Sequence, residues 1–288
     1  MDVSVWFGRS LLAIATLVAL APAIPLANEA PPAGLARLQL SFLSPVQLVP
    51  ESRDVSGLRL SLFFGKNADV SGLDIAGVGS SSRNFAGVQL AFFANGVNGK
   101  ATGVQFAAFN FVEGNVTGAQ LAPMANSAKG TATGVQASLL LNGAERLYGA
   151  QIGGVLMNVA REGGTGVQIG VSNFDGGKFT GLQVGLIGSA YRSNWSTLSV
   201  TGVQIGILNL VNGSVTGLQV GGLNAVGSKE GSFTGVQIGA LNLGGANCKG
   251  LQLGVFNACR DMYGVQIGLI NFIREGAVSW LPIANAKF

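Results

Sequence analysis

Hydrophobic and polar residues alternate along most of this chain in short segments that share one pattern. The segment 201–209 reads TGVQIGILN, with valine or isoleucine at every second position and glycine or glutamine between them. A period of two with β-branched residues predicts a β-strand. A helix needs apolar residues three and four positions apart and does not tolerate this much glycine. The pattern therefore predicts an all-β protein.

The same segment recurs along the chain as an internal repeat, which decides the fold class. Later copies are clean, as in TGLQVGGLN at 216–224, whereas SGLRL at 56–60 keeps the glycine and loses the glutamine. Turn residues such as Asn98-Gly99 separate the copies, and nearly all charged residues lie there. The motif glycines are Gly57, Gly72, Gly87, Gly103, Gly118, Gly134, Gly149, Gly166, Gly181, Gly202, Gly217, Gly235, Gly250 and Gly264.

The spacing of the motif glycines indicates a larger unit. Every second interval between successive motif glycines has the same length, that of 72–87. The intervening intervals differ in length, from the shortest at 250–264 to the longest at 181–202. One set of connections keeps its length while the other varies, so we expect a unit of two copies with two different ends. Two architectures have this property: an up-and-down antiparallel sheet closed into a barrel, and a parallel β-solenoid with two strands per coil.

The primary fold prediction is an up-and-down antiparallel β-barrel of about 16 strands built from 15-residue strand repeats. The repeats occupy about 57–275, a further strand is expected at 38–43, and a C-terminal strand at 279–288. A strand as long as 201–211 would span a membrane. The scarcity of tyrosine and tryptophan, three of each, argues against a membrane barrel. The two-strand-per-coil β-solenoid is the alternative.

The N-terminal segment 1–30 differs in character from the repeats. Arg9 precedes an apolar run at 11–20, and small residues and prolines follow it. This order is typical of a secretory signal peptide, and the apolar run is too short for an ordinary transmembrane helix. We therefore predict a signal peptide at 1–30 and a single β-repeat domain at 31–288.

The chain ends in WLPIANAKF, with Phe288 at the terminus. Together with the repeats over 57–288, this end resembles bacterial surface-repeat proteins whose copies read G-[VL]-Q-[IV]-G-x-x-N and whose chains end in an LPxxN-like stretch with phenylalanine. The resemblance implies export and an outer-membrane or cell-surface location. It implies no known reaction and no site residue.

Composition narrows the chemistry further. Charged residues make up 10% of the chain, the net charge is +4, and there is no histidine. Histidine-based triads and most zinc sites are therefore excluded, and carboxylates lie singly in turns. No basic cluster suggests nucleic acid. The sequence thus predicts no enzyme activity, no catalytic, cofactor-binding or metal-binding residue, no cofactor and no nucleic-acid partner.

Two rows of amide side chains recur with the repeat. Glutamine follows the motif glycine by two residues, and asparagine follows the glutamine by five, as in Gln204 and Asn209. Either row could bind a ligand, but we expect the glutamines to hydrogen-bond to one another and to the backbone, and the asparagines to serve a structural role at the strand end. In the later copies, the glutamine row consists of Gln204, Gln219, Gln237, Gln252 and Gln266, and the asparagine row of Asn209, Asn224, Asn242, Asn257 and Asn271. Parity also places Phe85, Phe179 and Phe233 on the glutamine-bearing face.

The two cysteines, Cys248 and Cys259, lie on either side of the strand around Gln252. An extended chain between them would span up to about 36 Å, far beyond the reach of a disulfide. Both architectures, with a coil of two copies, therefore predict no bridge. A bridge would favour a coil made of a single copy.

The function predicted from the sequence is that of a structural repeat protein of the outer membrane or cell surface, or of a narrow or plugged pore. A neutral lumen lined by glycine and glutamine, with Leu208 and Leu210 on the same face, predicts weak conductance or none. The expected partners are outer-membrane lipid and the barrel-assembly machinery. The alternative is a secreted β-solenoid that acts as an adhesin or interaction surface.

Overall fold

The computed structural model describes residues 36–153, 155–190, 198–227 and 230–288. Ala36–Phe288 forms one compact unit, and the predicted signal peptide at 1–30 lies outside the described residues. The fold is all-β, with 79% of the described residues in strands. None of the described segments forms a helix with the length and apolar character of a membrane span.

The strands wind into a β-solenoid of about 15 turns with mostly parallel pairing. They are β1 (Ala36–Leu43), β2 (Val46–Gln47), β3 (Val55–Ala76), β4 (Gly79–Ala91), β5 (Ala94–Val97), β6 (Ala101–Phe106), β7 (Phe109–Val112), β8 (Val116–Ala122), β9 (Ala125–Ala128), β10 (Thr131–Ser138), β11 (Leu141–Ala144), β12 (Arg146–Gly153), β13 (Met157–Ala160), β14 (Gly163–Ile169), β15 (Ser172–Asp175), β16 (Lys178–Val184), β17 (Ile187–Ala190), β18 (Leu198–Gly227), β19 (Ser232–Leu243), β20 (Asn247–Cys259), β21 (Asp261–Ile273) and β22 (Trp280–Lys287).

Each copy of the repeat pairs in parallel with the copies before and after it. Gly134 lies beside Gly118 of the preceding coil and Gly149 of the following coil, and Gln136 lies beside Gln120 and Gln151. The antiparallel barrel is therefore wrong, and the solenoid alternative is confirmed. An antiparallel hairpin would place glutamine opposite glycine, whereas the parallel register places glutamine on glutamine, so that each amide meets another amide.

One copy of the repeat makes one coil, so the expected unit of two copies is also wrong. In the middle of the solenoid each coil contains two strands, such as β6 and β7, and each pairs with its counterpart one repeat later. Near the C-terminus, β19, β20 and β21 each form one continuous strand through both halves of a coil. Copies of the repeat differ in length because either of the two turns within a coil can be longer or shorter, and not because every second connection between copies varies. The repeat that starts at Gly149, for example, is longer in the turn before Asn158.

Each coil has four parts. The Gln arm is the strand from two residues before the motif glycine to three after it, and the Asn arm is the short strand that starts around the asparagine. The apolar corner is the turn from the Gln arm to the Asn arm, and the loop edge is the opposite turn, which leads to the next Gln arm. Phe92 lies in an apolar corner and Asn98 in the loop edge of the same coil.

The interior is lined by the same positions in every coil. Except at Gly164, the residue two before the motif glycine is apolar and buried, and it packs at the loop-edge side of the core. Phe85, Phe179 and Phe233 therefore lie on the glutamine-bearing side, as predicted. The glutamines and asparagines are buried between this apolar layer and the corner. The prediction that Leu208 and Leu210 share the glutamine face is wrong, because the corner at Gly206 shifts the alternation and leaves both leucines on the outer side.

The last coil is covered by an antiparallel strand. β22 pairs with β21 from Lys287 at Gly264 to Trp280 at Phe272, which confirms the C-terminal strand. Pro282 lies in this edge strand near an irregularity in the register. Because proline has no N–H to donate, an edge strand tolerates it better than a central strand would. At the other end, β2 pairs antiparallel with β1, which confirms the expected strand at 38–43.

A disulfide links Cys248 and Cys259, with 6.4 Å between their Cα atoms. The prediction of no bridge is wrong because the chain between the cysteines is not extended. It folds back at the apolar corner, so that Cys248 on the Gln arm and Cys259 on the Asn arm meet beside the loop edge of one coil. The bridge is the outcome that a coil made of a single copy predicts.

We expect reduction of this disulfide to destabilise mainly the C-terminal coils. Closing a loop of this length stabilises a fold by about 3 kcal/mol, and a solenoid loses stability locally because each coil contacts only its neighbours. Hydrogen exchange of the double variant Cys248→Ala/Cys259→Ala should speed up over 235–273 and stay unchanged over 101–128. Equal loss of protection in both regions would contradict this expectation.

Candidate functional site

The buried glutamines form one continuous ladder through the solenoid. From Gln105 to Gln266, each Nε2 donates to the Oε1 of the glutamine in the preceding coil at 2.6–3.0 Å. This confirms the expectation that the glutamines bond to one another. A buried amide without a partner costs about 1–3 kcal/mol, and the ladder removes that penalty in every coil.

The glutamine ladder ends on a buried ion pair in the two coils that lack the motif glutamine. Gln89 donates to Asp74 Oδ2 at 3.0 Å, and Arg59 binds both oxygens of Asp74 at 2.7 and 2.6 Å. Both charged side chains are completely buried. Asp74 thus supplies an acceptor for the last amide donor, and Arg59 neutralises the carboxylate inside the core.

The asparagines form a second ladder with the opposite polarity. Wherever the following coil also holds an asparagine, Nδ2 donates to the Oδ1 of that residue, as Asn110 does to Asn126 at 2.9 Å. Each also donates to a backbone carbonyl of the following coil, such as that of Leu121, also at 2.9 Å. The expected structural role of the asparagines is confirmed, and neither amide row is available to a ligand.

The asparagine ladder is interrupted where Gly188 replaces asparagine. Asn173 has no asparagine to donate to in the next coil, and Asn209 Oδ1, two coils on, lacks a hydrogen-bond partner among the described residues. A Cβ at Gly188 would lie 3.3 Å from Asn209 Oδ1, so a side chain fits if that amide shifts slightly. The break divides the ladder into two separate runs.

We expect Gly188→Asn to stabilise the protein by joining these runs. Two new hydrogen bonds, each worth about 1 kcal/mol, would raise the thermal midpoint by several degrees. Gly188→Ala is the matched control, because it fills the same space without an amide. Thermal unfolding followed by circular dichroism should separate the two variants; equal midpoints would show that the ladder gap is energetically irrelevant.

One carboxyl group is buried without a cation. Asp175 occupies a position where neighbouring coils hold alanine, and its Oδ2 accepts a hydrogen bond from Gln183. Its Oδ1 has no partner among the described residues. Burial raises the pKa of Asp175 well above its ordinary value, although the hydrogen bonds from Gln183 and Gln168 act in the opposite direction.

The raised pKa of Asp175 predicts a pH-dependent stability. The pKa of Asp175 is higher in the folded protein than in the unfolded chain. The contribution of Asp175 to the free energy of unfolding is therefore complete below the unfolded pKa and is lost as the pH rises through the folded pKa. Asp175→Asn cannot ionise and should raise the thermal midpoint at pH 7, but hardly at pH 4. A gain that is independent of pH would contradict the expected ionisation.

The outer surface divides into two zones along the whole solenoid. From the motif glycine to the asparagine position, the only charged side chains among the described residues are Arg59 and Asp74, both buried. Many corners in this stretch expose a large apolar side chain: Phe92 is 83% exposed, Leu269 70% and Ile207 57%, whereas Ala107 is buried. The apolar corners of successive coils therefore form a continuous uncharged ridge.

The loop edge carries the opposite character. Ion pairs join successive coils there, including Lys129 with Glu113, Arg146 with Glu162 at 2.6 Å and Arg260 with Glu275 at 2.7 Å. These side chains are largely exposed, so the pairs add little stability. Their main effect is to keep the loop edge hydrated.

Two depressions of the described surface have volumes of about 690 and 620 Å³ and open widely to solvent. Both are lined mainly by apolar residues, among them Leu40 and Phe42 in one and Ile169 and Ile207 in the other. Within the described ranges, no group of three histidine, cysteine or acidic side chains could hold a metal ion.

Comparison with protein-family models, with curated proteins and with solved structures finds no match for this chain. What can be inferred about function therefore comes from the chain's own surface and interior. The interior consists of side chains bonded to one another, and the apolar ridge is the feature that this packing leaves without a partner. The sequence contained the signal for it, because the alternation that places glutamine inside also places the aliphatic residues outside.

Proposed function

We propose that the chain is an exported β-solenoid, displayed on the cell surface or secreted, that acts as an elongated interaction surface and not as an enzyme. The observation that carries this proposal is the separation of an uncharged apolar ridge from a mostly charged loop edge along the described coils. Monomeric proteins seldom expose a continuous apolar patch of this extent unless it binds something. A filled interior and open, shallow depressions are poor places for catalysis.

The disulfide supports the part of the proposal that concerns export. Structural disulfides persist in oxidising compartments and are rare in the reducing cytosol. Cys248 and Cys259 are both buried beside the loop edge, so their bridge has a structural role in the coil. An exported chain would acquire this bridge outside the cytosol, as the predicted signal peptide at 1–30 implies.

The test is the location of the protein in the producing cell. An epitope tag placed at the exposed turn around Ala277 would be followed by fractionation and by external protease treatment of intact cells. We expect the tag in the medium, or at the surface and sensitive to protease. A reduced, cytoplasmic protein would contradict the proposal. Deleting Phe288 should leave the surface or secreted yield of the protein unchanged, because this residue is exposed and its ring lies against that of Tyr263 at one end of the solenoid.

A further inference from the structure

We propose that the apolar ridge docks on a lipid membrane, with the solenoid lying flat on one leaflet. This inference rests on the proposed function, because it names the partner of the interaction surface. The ridge consists of the apolar corners and the outward-facing residues of the Gln and Asn arms beside them. Phe42, Leu62, Phe92, Leu139, Ile207 and Leu269 are examples from its whole length.

The composition of the ridge fits hydrocarbon better than it fits a protein partner. Protein interfaces remain roughly 56–65% apolar by area and draw much of their binding energy from Arg, Tyr and Trp. The corners instead expose leucine, isoleucine, valine and phenylalanine, and the described residues between the motif glycine and the asparagine position expose no charge. Such a surface offers a protein partner few hydrogen bonds from its side chains, whereas lipid chains need none.

The shape of the ridge also favours a fluid partner. The apolar surface of the ridge is uneven, with one open depression lined by Leu40 and Phe42 and another by Ile169 and Ile207. A rigid protein face that does not match these depressions would leave water in them, whereas lipid chains can enter them.

The dimensions set the orientation. With strands about 4.8 Å apart, about 15 turns extend over roughly 70 Å, more than twice the thickness of a bilayer core. The apolar and charged zones lie on opposite edges of the cross-section and not at opposite ends of the axis. The long axis must therefore lie in the membrane plane. The stretch from the motif valine to the corner extends about 13 Å, comparable with the roughly 5–10 Å depth of interfacial segments.

The aromatic residues with polar tips give a second, independent indication. Tyr148 and Tyr263 directly precede a motif glycine, where the apolar zone meets the charged zone, and both are exposed. Trp280 pairs with Phe272 at the corresponding boundary on the Asn arm and is exposed as well. Tyrosine and tryptophan favour the headgroup level of a membrane, where the ring is in an apolar layer and its polar tip in a wet one.

The test uses the oxidised protein without its signal peptide and vesicles of phosphatidylcholine, whose zero net charge removes electrostatic attraction. The ridge variant is Phe92→Lys/Ile207→Lys/Leu269→Lys. The matched control is Asn98→Lys/Asn247→Lys/Ala277→Lys, which adds the same charge at exposed positions of the loop edge and the C-terminal turn. We expect the wild type and the control to float with the vesicles, and the partition coefficient of the ridge variant to fall at least about 100-fold.

A second pair of variants keeps the test decisive if the ridge variant does not fold. Phe92→Trp preserves the apolar ridge, and its fluorescence should be quenched by vesicles with brominated acyl chains. Asn98→Trp, in the loop edge of the same coil, should not be quenched beyond the wild-type level.

Absence of wild-type binding to vesicles would overturn the proposal. So would a stable dimer in buffer that the ridge variant abolishes, since a second copy would then be the occupant. Neither result depends on where the cell places the protein, so a failure here is distinct from a failure of the proposed function.

Discussion

Gly134→Ala should be one of the most destabilising single substitutions in this protein. Gly134 has a φ of +121°, and a Cβ there would lie 2.1 Å from the backbone oxygen of Gly118 in the preceding coil. The positive φ is strained for any residue with a side chain, and the backbone oxygen cannot move without opening the coil-to-coil ladder. We expect a loss of about 4 kcal/mol and a fall in the thermal midpoint of about 10 °C.

Gly143→Ala is the matched control in the same coil. Its φ is ordinary, and the nearest atom to an added Cβ is the backbone oxygen of Asn126 at 4.0 Å. This substitution should change the midpoint by no more than a degree or two. Thermal unfolding of both variants, followed by circular dichroism, makes the comparison. Equal effects at the two positions would mean that the close approach of the motif glycines does not govern coil stacking.

Replacing one glutamine of the ladder should have the second large effect. Gln151→Leu removes the donor to Gln136 Oε1 and the acceptor of Gln168 Nε2, which lie at 2.8 and 3.0 Å. Both groups are buried inside the coil stack, so we expect a loss of about 3 kcal/mol. Denaturant unfolding of the single variant provides the measurement.

A double variant tests whether the glutamines act as one ladder. Gln136→Leu/Gln151→Leu breaks three links, but it still orphans only two atoms, Gln120 Oε1 and Gln168 Nε2. Its loss should therefore be close to that of Gln151→Leu alone, well below the sum of the two single losses. Additive losses would mean that each glutamine is stabilised independently of its neighbours.

The strands and their inner face followed directly from the repeat. The period of two around Gln204 required extended chain, and an uncharged amide in nearly every copy, beside aliphatic residues, pointed to a buried face. The direction of pairing did not follow, because an alternating pattern is equally compatible with parallel and antiparallel neighbours. The gap lengths then suggested a hairpin unit, since insertions in two different turns of single coils happened to alternate along the chain.

What the sequence pattern concealed lies mostly at the corner. The fold-back near Gly254 brings Cys248 beside Cys259, and the corresponding turn at Gly206 turns Leu208 outward. Neither effect can be read from parity, which assumes a straight strand. The apolar ridge is visible in the sequence as a row of aliphatic residues, but its place on the outside of stacked single coils follows only from the fold. The buried environment of Asp175 needed the fold, because in the sequence this residue resembles an ordinary turn carboxylate.

The opposite polarity of the two amide ladders has a consequence for the size of the molecule. Amide groups aligned head to tail add their dipole moments, as peptide groups do in a helix, and a long single ladder would accumulate partial charge at its two ends. Here the glutamine amides point toward the first coil and the asparagine amides toward the last, so the two axial dipoles largely cancel in each coil. A coil that carries both amides is close to neutral as an electrostatic unit. Coils of this kind can be duplicated or deleted without building up a field along the axis, which leaves the length of such a solenoid free to vary.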